Sequence, residues 1–258
     1  MDHRCERRPA AAPLLAALAA ILVSGAARAQ TPDEWPIHSP DRPAPPVVDP
    51  GPAGPPVAPP SDAVVLLDGT DLARWRARDG GPAPWKLADG HVEVAAGTGS
   101  LVTRDSFGDV QLHVEWASPE VVEGEGQNRG NSGVYLMDIY ELQVLDSYHN
   151  PTYADGQAGS IFGQFPPLAN ASRPPGEWQS YDIVFRAPRF DAGGALLRPA
   201  RMTVFHNGVL VQDGVELTGP TAFQRRPPYA VHPARLPISL QDHDHPVRYR
   251  NIWLRELP

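Results

Sequence analysis

From residue 63 onward, short apolar runs alternate with turn residues at close, regular intervals, and no run is long enough for a helix-based core. AVVLL stops at Asp68-Gly69, and WKLADGHVEV reads as a hairpin turning at Asp89-Gly90. SLVTR, DVQLHVEWA, SGVYLMD, YELQVLD and YDIVFRA follow, then RMTVFHNGVLVQDG with its turn at Asn207-Gly208, PISLQD and VRYRNIWLREL. Val110, Leu112, Val114 and Trp116 fall on one side of a period-two pattern, as in a strand with one face in a core. Only Asp71 to Arg76 suggests a helical turn. Many short strands at this spacing predict an all-β fold, an antiparallel sandwich or jelly roll. Two stretches, 189–200 and roughly 219–236, are long for tight connections. They are expected at the sheet edges, as walls of a cleft or as plain surface insertions.

The N-terminal part reads differently. Arg4, Arg7 and Arg8 precede a nearly unbroken apolar run from Ala10 to Ala26, which closes on Ala27-Arg28-Ala29. This is the pattern of a secretory signal peptide over 1–29, and the run is short for a bilayer span of ~20 residues. The expectation is a periplasmic or secreted protein with no membrane span after cleavage. Cleavage would remove Cys5, the one cysteine, so neither disulfides nor thiol chemistry is expected. Residues 30–60 are mostly Pro, Ala, Gly and Val, a composition that predicts a semi-extended linker. Residues 61–258 then suffice for a single β-sandwich domain. The formal net charge of −8, with both signs interspersed, argues against a nucleic-acid partner, and no glycine-rich phosphate loop suggests a nucleotide cofactor.

Polar residues crowd three places. In YELQVLDSYH (140–149), Leu142 and Val144 share one face while Glu141 and Gln143 share the other. The stretch looks like half of the E-x-D-x-x-E strand of laminarinase-type glucanases. Conventional glycoside hydrolysis needs two carboxylates about 5–9 Å apart. Here the position four after Glu141 is Leu145, and Asp146 has the opposite parity, so the strand alone lacks the pair. In SLQDHDHPVRYRN, Gln241, His243 and His245 share parity. His243 suits proton transfer near neutral pH or a surface hydrogen bond, and His245 reads as a turn residue before Pro246. A metal is not expected, since nothing fixes a third ligand beside these histidines. The third cluster, Gln127-Asn128-Arg129-Gly130-Asn131-Ser132-Gly133, offers a guanidinium fork and close backbone approach. Trp178, Tyr181 and Trp253 are sugar-stacking platforms or, more commonly in a sandwich, core.

Together these segments resemble a known family. LLDGTDLARWRA, WKLADGHVEV, GSLVTRDSFGDVQLHVEW, RGNSGVYL, YELQVLDS, GEWQSYDIVF, VFHNGVLVQDG and LQDHDHPVRYRNIWLREL follow, in order, the pattern of 3-keto-glycoside lyase/hydratase domains, also described as 3-keto-disaccharide hydrolases. The resemblance covers about residues 63–257. It implies a concanavalin/laminarin-like jelly roll that acts on sugars oxidised at C3, without a cofactor, downstream of a sugar 3-oxidoreductase. It also implies His243 and Glu141 as the catalytic pair, in either order of base and acid. Arg129, Asn131, Gln143 and Gln241 are implied as substrate-binding residues. A non-catalytic glycan-binding module would use the same polar face. The family commonly has glycine after Q-D-H, where this chain has Asp244, a residue that tolerates positive φ better than most.

Overall fold

Fifteen strands run through the described part of the chain, which in this computed structural model comprises residues 35–258 together with Met1. In chain order they begin β1 (Val64–Leu67), β2 (Trp75–Ala77), β3 (Lys86–Ala88), β4 (His91–Glu93), β5 (Leu101–Thr103), β6 (Val110–Ala117), β7 (Ser132–Leu136) and β8 (Tyr140–Val144). Then come β9 (Gln179–Arg186), β10 (Arg189–Phe190), β11 (Leu196–Arg198), β12 (Arg201–His206), β13 (Val209–Glu216), β14 (Ser239–Leu240) and β15 (Arg248–Glu256). The signal sequence expected over 1–29 lies outside the described residues, apart from Met1. The helical turn expected over Asp71 to Arg76 is a single reverse turn, closed by the Trp75 N–H on the Leu72 carbonyl at 2.8 Å. Helix loses there because Trp75 is fully buried, pairs with Thr103 in β5, and gives its indole N–H to Leu66 O at 2.8 Å.

The strands form an antiparallel jelly-roll sandwich. One sheet has the order β13-β12-β9-β6-β15-β4-β3, with β1 also on β15; the other is β2-β5-β14-β7-β8. β10 and β11 form a small separate hairpin inside the long 189–200 connection. The two hairpin turns expected from sequence adopt the backbone their residues favour. Asp89 and Gly90 have φ of 52° and 76°, and Asn207 and Gly208 have 52° and 81°, the left-handed pair that matches strand twist. Between the sheets the alternation pattern becomes a core. Val110, Leu112, Val114 and Trp116 from the large sheet meet Leu101, Val134, Leu136, Leu142, Val144 and Leu240 from the small one. Each such side chain is worth about 1.5–3 kcal/mol of burial. Tyr181 belongs to this core as well.

The proline-rich stretch is extended, as its composition requires, and it is fastened along the sandwich. Val48 N–H donates to Asn170 O at 3.0 Å and Asn170 N–H to Pro46 O at 2.9 Å. Arg173 Nε reaches Gly51 O at 2.8 Å, Val57 N–H donates to Glu115 Oε1 at 3.1 Å, and Asn251 Nδ2 reaches Val57 O at 2.8 Å. An extended chain without a strand partner presents bare backbone groups, and side chains of the sandwich take them. The segment is a strap.

Candidate active site

Residues directly opposed across antiparallel strands share a face of the sheet. In β7 and β8, Gly133 opposes Gln143 and Tyr135 opposes Glu141; Ser239 of β14 opposes Tyr135 from the other side. Gln241 continues this alignment, its N–H donating to Gly133 O at 2.9 Å. Glu141, Gln143, Tyr135, Gly133, Ser239 and Gln241 therefore line one polar face of the small sheet. The alternate residues of the same strands supply the core. The parity read from YELQVLDSYH holds in three dimensions.

Glu141 sits at the centre of this face and is only 3% exposed. Its carboxylate stands over Gly133: a Cβ there would lie 2.7 Å from Glu141 Oε1, 3.0 Å from Tyr135 Cε2 and 3.3 Å from Gln241 Oε1. The glycine is bare so that three polar side chains can converge above it. Burial pushes the Glu141 carboxyl up to about 8, against the opposing hydrogen bond from the Tyr135 phenol. Burial and the neighbouring Glu141 charge in turn push Tyr135 upward, so the phenol keeps its proton. Tyr135 also accepts from Gln241 Nε2 at 3.3 Å. β8 is an edge strand whose outer side is covered: Gln143 N–H donates to Ser160 O, Gly159 N–H to Gln143 O, and Thr221 Oγ1 accepts from Glu141 N–H at 3.0 Å. Thr221 comes from the long 219–236 loop, which therefore covers the edge of β8 beside this face.

The other sequence-predicted residues divide into those at the face and those beside it. Gln143 Nε2 donates to Gln127 Oε1 at 2.9 Å and to Gly156 O at 3.2 Å, which locks its amide in the plane of the face. Asn131, before β7, holds the Gln127 carbonyl at 2.9 Å, and so braces the loop that carries Gln127. Arg129 is turned to Asp146 at 2.7 Å and to Tyr148 O at 3.0 Å. Asp146 is thereby an ion-pair partner rather than a second carboxylate on Glu141's face. His243 lies past the end of β14, exposed, its ring stacked on His245 at 5.9 Å. His245 Nε2 reaches Asn128 O at 3.1 Å. Asp244 has φ 62°, so it takes up the left-handed turn that glycine commonly fills. Among the described residues, no three His, Cys, Asp or Glu side chains come together as a metal site.

Sequence reasoning missed Tyr135, Ser239 and the pair behind them. Ser239 Oγ donates to Asp138 Oδ1 at 2.5 Å, and Arg78 Nη2 donates to the same oxygen at 2.8 Å. The only signal for Tyr135 was its period-two relation to Gly133, which needs the strand register before it points to Glu141. Trp178, a possible sugar platform, is instead covered by Arg250 at 4.0 Å and Arg248 at 5.5 Å, and Trp253 stacks on His113 at 5.0 Å.

Known proteins share this fold. The model of the 3-keto-alpha-glucoside-1,2-lyase-like domain matches residues 62–255. A candidate glycosyl hydrolase from Parabacteroides distasonis ATCC 8503, solved by crystallography, is 46% identical with a TM-score of 0.74, over 76% of this chain and 84% of that one. A second candidate glycosyl hydrolase from the same organism shares the fold at 20% identity and a TM-score of 0.55, over 76% of this chain and 94% of that one. No curated protein is similar enough to count as a match. With the family pattern running through both sheets and the polar face, this chain belongs to the 3-keto-alpha-glucoside-1,2-lyase-like domain family.

Proposed function

We propose that the domain is an enzyme that cleaves 3-keto-glycosides by elimination across C1–C2, with hydration of the product completing a net hydrolysis. The observation that carries this reading is a single buried carboxyl, Glu141, at the centre of a polar face whose other nearby carboxylate, Asp138, is tied to Ser239 and Arg78. A ketone at C3 acidifies the C2 proton, so one base can take it while the C1 substituent leaves. The C2 electron pair forms the C1–C2 double bond, the C1–O bond breaks, and an acid protonates the departing oxygen. That chemistry needs one base, one acid and a donor at the enolate oxygen. Oxocarbenium hydrolysis needs two carboxylates.

In this reading Glu141, protonated at neutral pH, gives its proton to the leaving oxygen, and Tyr135 donates to an oxygen of the ring. Gln143 and Gln241 fix hydroxyls, and Asn131 and Arg129 brace the Gln127–Gly130 loop against the sugar. His243, exposed and two residues beyond Gln241 in sequence, takes the C2 proton. Export through the 1–29 leader and an upstream sugar 3-oxidoreductase complete the setting. A non-catalytic glycan-binding module would bind without product. Incubation with a 3-keto-disaccharide, following the enone absorbance and free monosaccharide in parallel, tests the proposal. His243→Ala should lose most of the turnover and remain folded, with a primary isotope effect on 2-deuterated substrate in the parent. Wild-type turnover in His243→Ala removes it as the base.

A further inference from the structure

Two pairs of arginines face each other directly across strands, one in the large sheet and one in the β10–β11 hairpin. In the β9–β12 register Arg186 opposes Arg201, and in the β10–β11 hairpin Arg189 opposes Arg198. Like charges in directly opposed positions destabilise an antiparallel pair. A chain of net charge −8 has carboxylates to spare for such positions. All four guanidinium groups nevertheless line a single recess of about 500 Å³, whose acidic side chains are Asp109 and Glu216 alone.

The two carboxylates do not neutralise the recess. Asp109 is buried and fully engaged: it accepts from Ala187 N–H at 2.8 Å, Arg189 Nη2 at 2.9 Å and Arg186 Nη1 at 3.2 Å. Its role is to hold two of the arginines in place. Glu216 opposes Arg201 across β12–β13 and is exposed. Four guanidinium groups meet two side-chain carboxylates and the Pro258 oxygen that accepts from Arg186 Nη1, so positive charge stays in excess. Arg186 Nη1 also reaches Pro258 O at 2.8 Å and Arg189 Nη1 the Ala187 and Pro188 carbonyls at 3.4 Å, yet the two side chains stay 37% and 41% exposed, and Arg198 is exposed. Arg201 is fixed through Nε, which donates to Gly214 O at 2.6 Å, and this leaves its outer nitrogens free of that bond. The recess shares no residue with the polar face that carries Glu141.

We propose that this recess binds a phosphate group, free or carried on a sugar or a lipid headgroup. A dianion with tetrahedral oxygens matches both the surplus charge and the converging forks, which donate in pairs. Bound phosphate would also offset the cross-strand repulsion, which explains why the arginines are clustered.

The full chain titrated with inorganic phosphate by calorimetry at low ionic strength tests this, beside an Arg198→Gln/Arg201→Gln double variant. Saturable binding is expected in the parent, weakened at least about ten-fold in the variant. The variant should also melt no lower than the parent without phosphate, and should lose the phosphate-dependent rise in melting temperature. A merely structural role for these arginines predicts the opposite, a lower melting temperature without phosphate. Sedimentation with vesicles containing phosphatidate, a phosphomonoester, against phosphatidylcholine vesicles, separates the sources. Binding to the former that the variant loses assigns a lipid headgroup, and phosphate binding without vesicle binding assigns a soluble phosphate. No saturable phosphate binding by the parent, or equal binding by the variant, overturns the proposal.

Discussion

Glu141 concentrates the chemistry in one group, and its burial gives the account a pH signature. The carboxyl is raised to about 8 in the fold, so it holds its proton where an unfolded chain would have lost it. As the acid of the elimination it should lose activity as pH rises through about 8; activity that instead grows through that range would make it the base. Its burial costs no stability below the ordinary carboxylate range. The cost grows as pH rises from there and levels off above about 8. The melting temperature of Glu141→Gln should therefore gain on the parent across that interval, while turnover falls by roughly 10²–10⁴. A second variant tests the cradle: Gly133→Ala places a methyl 2.7 Å from Glu141 Oε1. The strand backbone accepts alanine, so the fold should hold while the displaced carboxyl costs ~10²-fold in rate. Unchanged turnover in Gly133→Ala would mean that the convergence over this glycine has no part in catalysis. Parity alone made Glu141 and Gln143 legible in the sequence. Tyr135 was not, because its relation to Glu141 exists only once β7 and β8 are in register.

At the scale of elements, the strap and the back of β6 form one electrostatic unit. His113, on the face of β6 away from the core, is opposed by burial but is raised to about 9 by its hydrogen bonds and charge interactions with Asp182 and Glu115. Burial likewise opposes the charge on Glu115, yet His113, Asn251, Arg250 and the Val57 N–H of the strap together hold it down to about 2. The two partners lose their stabilisation at opposite ends of the pH scale. The His113 part is complete below its unfolded pKa and is lost as pH climbs through about 9. The Glu115 part is present above the ordinary glutamate pKa and is lost as pH falls through about 2. Glu115→Gln should cost about 2 kcal/mol at neutral pH. It should also shrink the alkaline loss without abolishing it, since His113 keeps its stronger partner Asp182 at 2.7 Å; an unaltered pH–stability curve would sink this description. The hairpin turns were legible because Asp-Gly and Asn-Gly encode their own backbone, and Asp244 because positive φ is a local property. The strap was not. Proline says that a segment is extended, but its anchors lie 58, 122 and 194 residues away in sequence, at Glu115, Arg173 and Asn251.

For the molecule as a whole, the division of labour follows the two sheets. The large sheet carries the longest strands, the strap and the arginine recess, and it packs the core against the small sheet. The small sheet carries the polar face on its other side, with Glu141 buried at its centre and Tyr135 and Gln241 half-buried beside it. The nearby carboxylates are committed elsewhere: Asp146 pairs with Arg129, Asp138 with Arg78, and Asp242 accepts from Gly99 N–H at 2.8 Å. This is what separates the domain from glucanases that share the sandwich and part of the strand motif. An ordinary glycoside keeps a hydroxyl at C3, and no side chain is basic enough to take its C2 proton. The most direct measurement is a side-by-side incubation of clean protein with trehalose, cellobiose and sucrose and with their 3-keto counterparts, following enone and monosaccharide together. The account predicts product from at least one 3-keto-disaccharide, and none from any unoxidised sugar. Glucose released from an unoxidised disaccharide, at a rate that survives further purification, would contradict it.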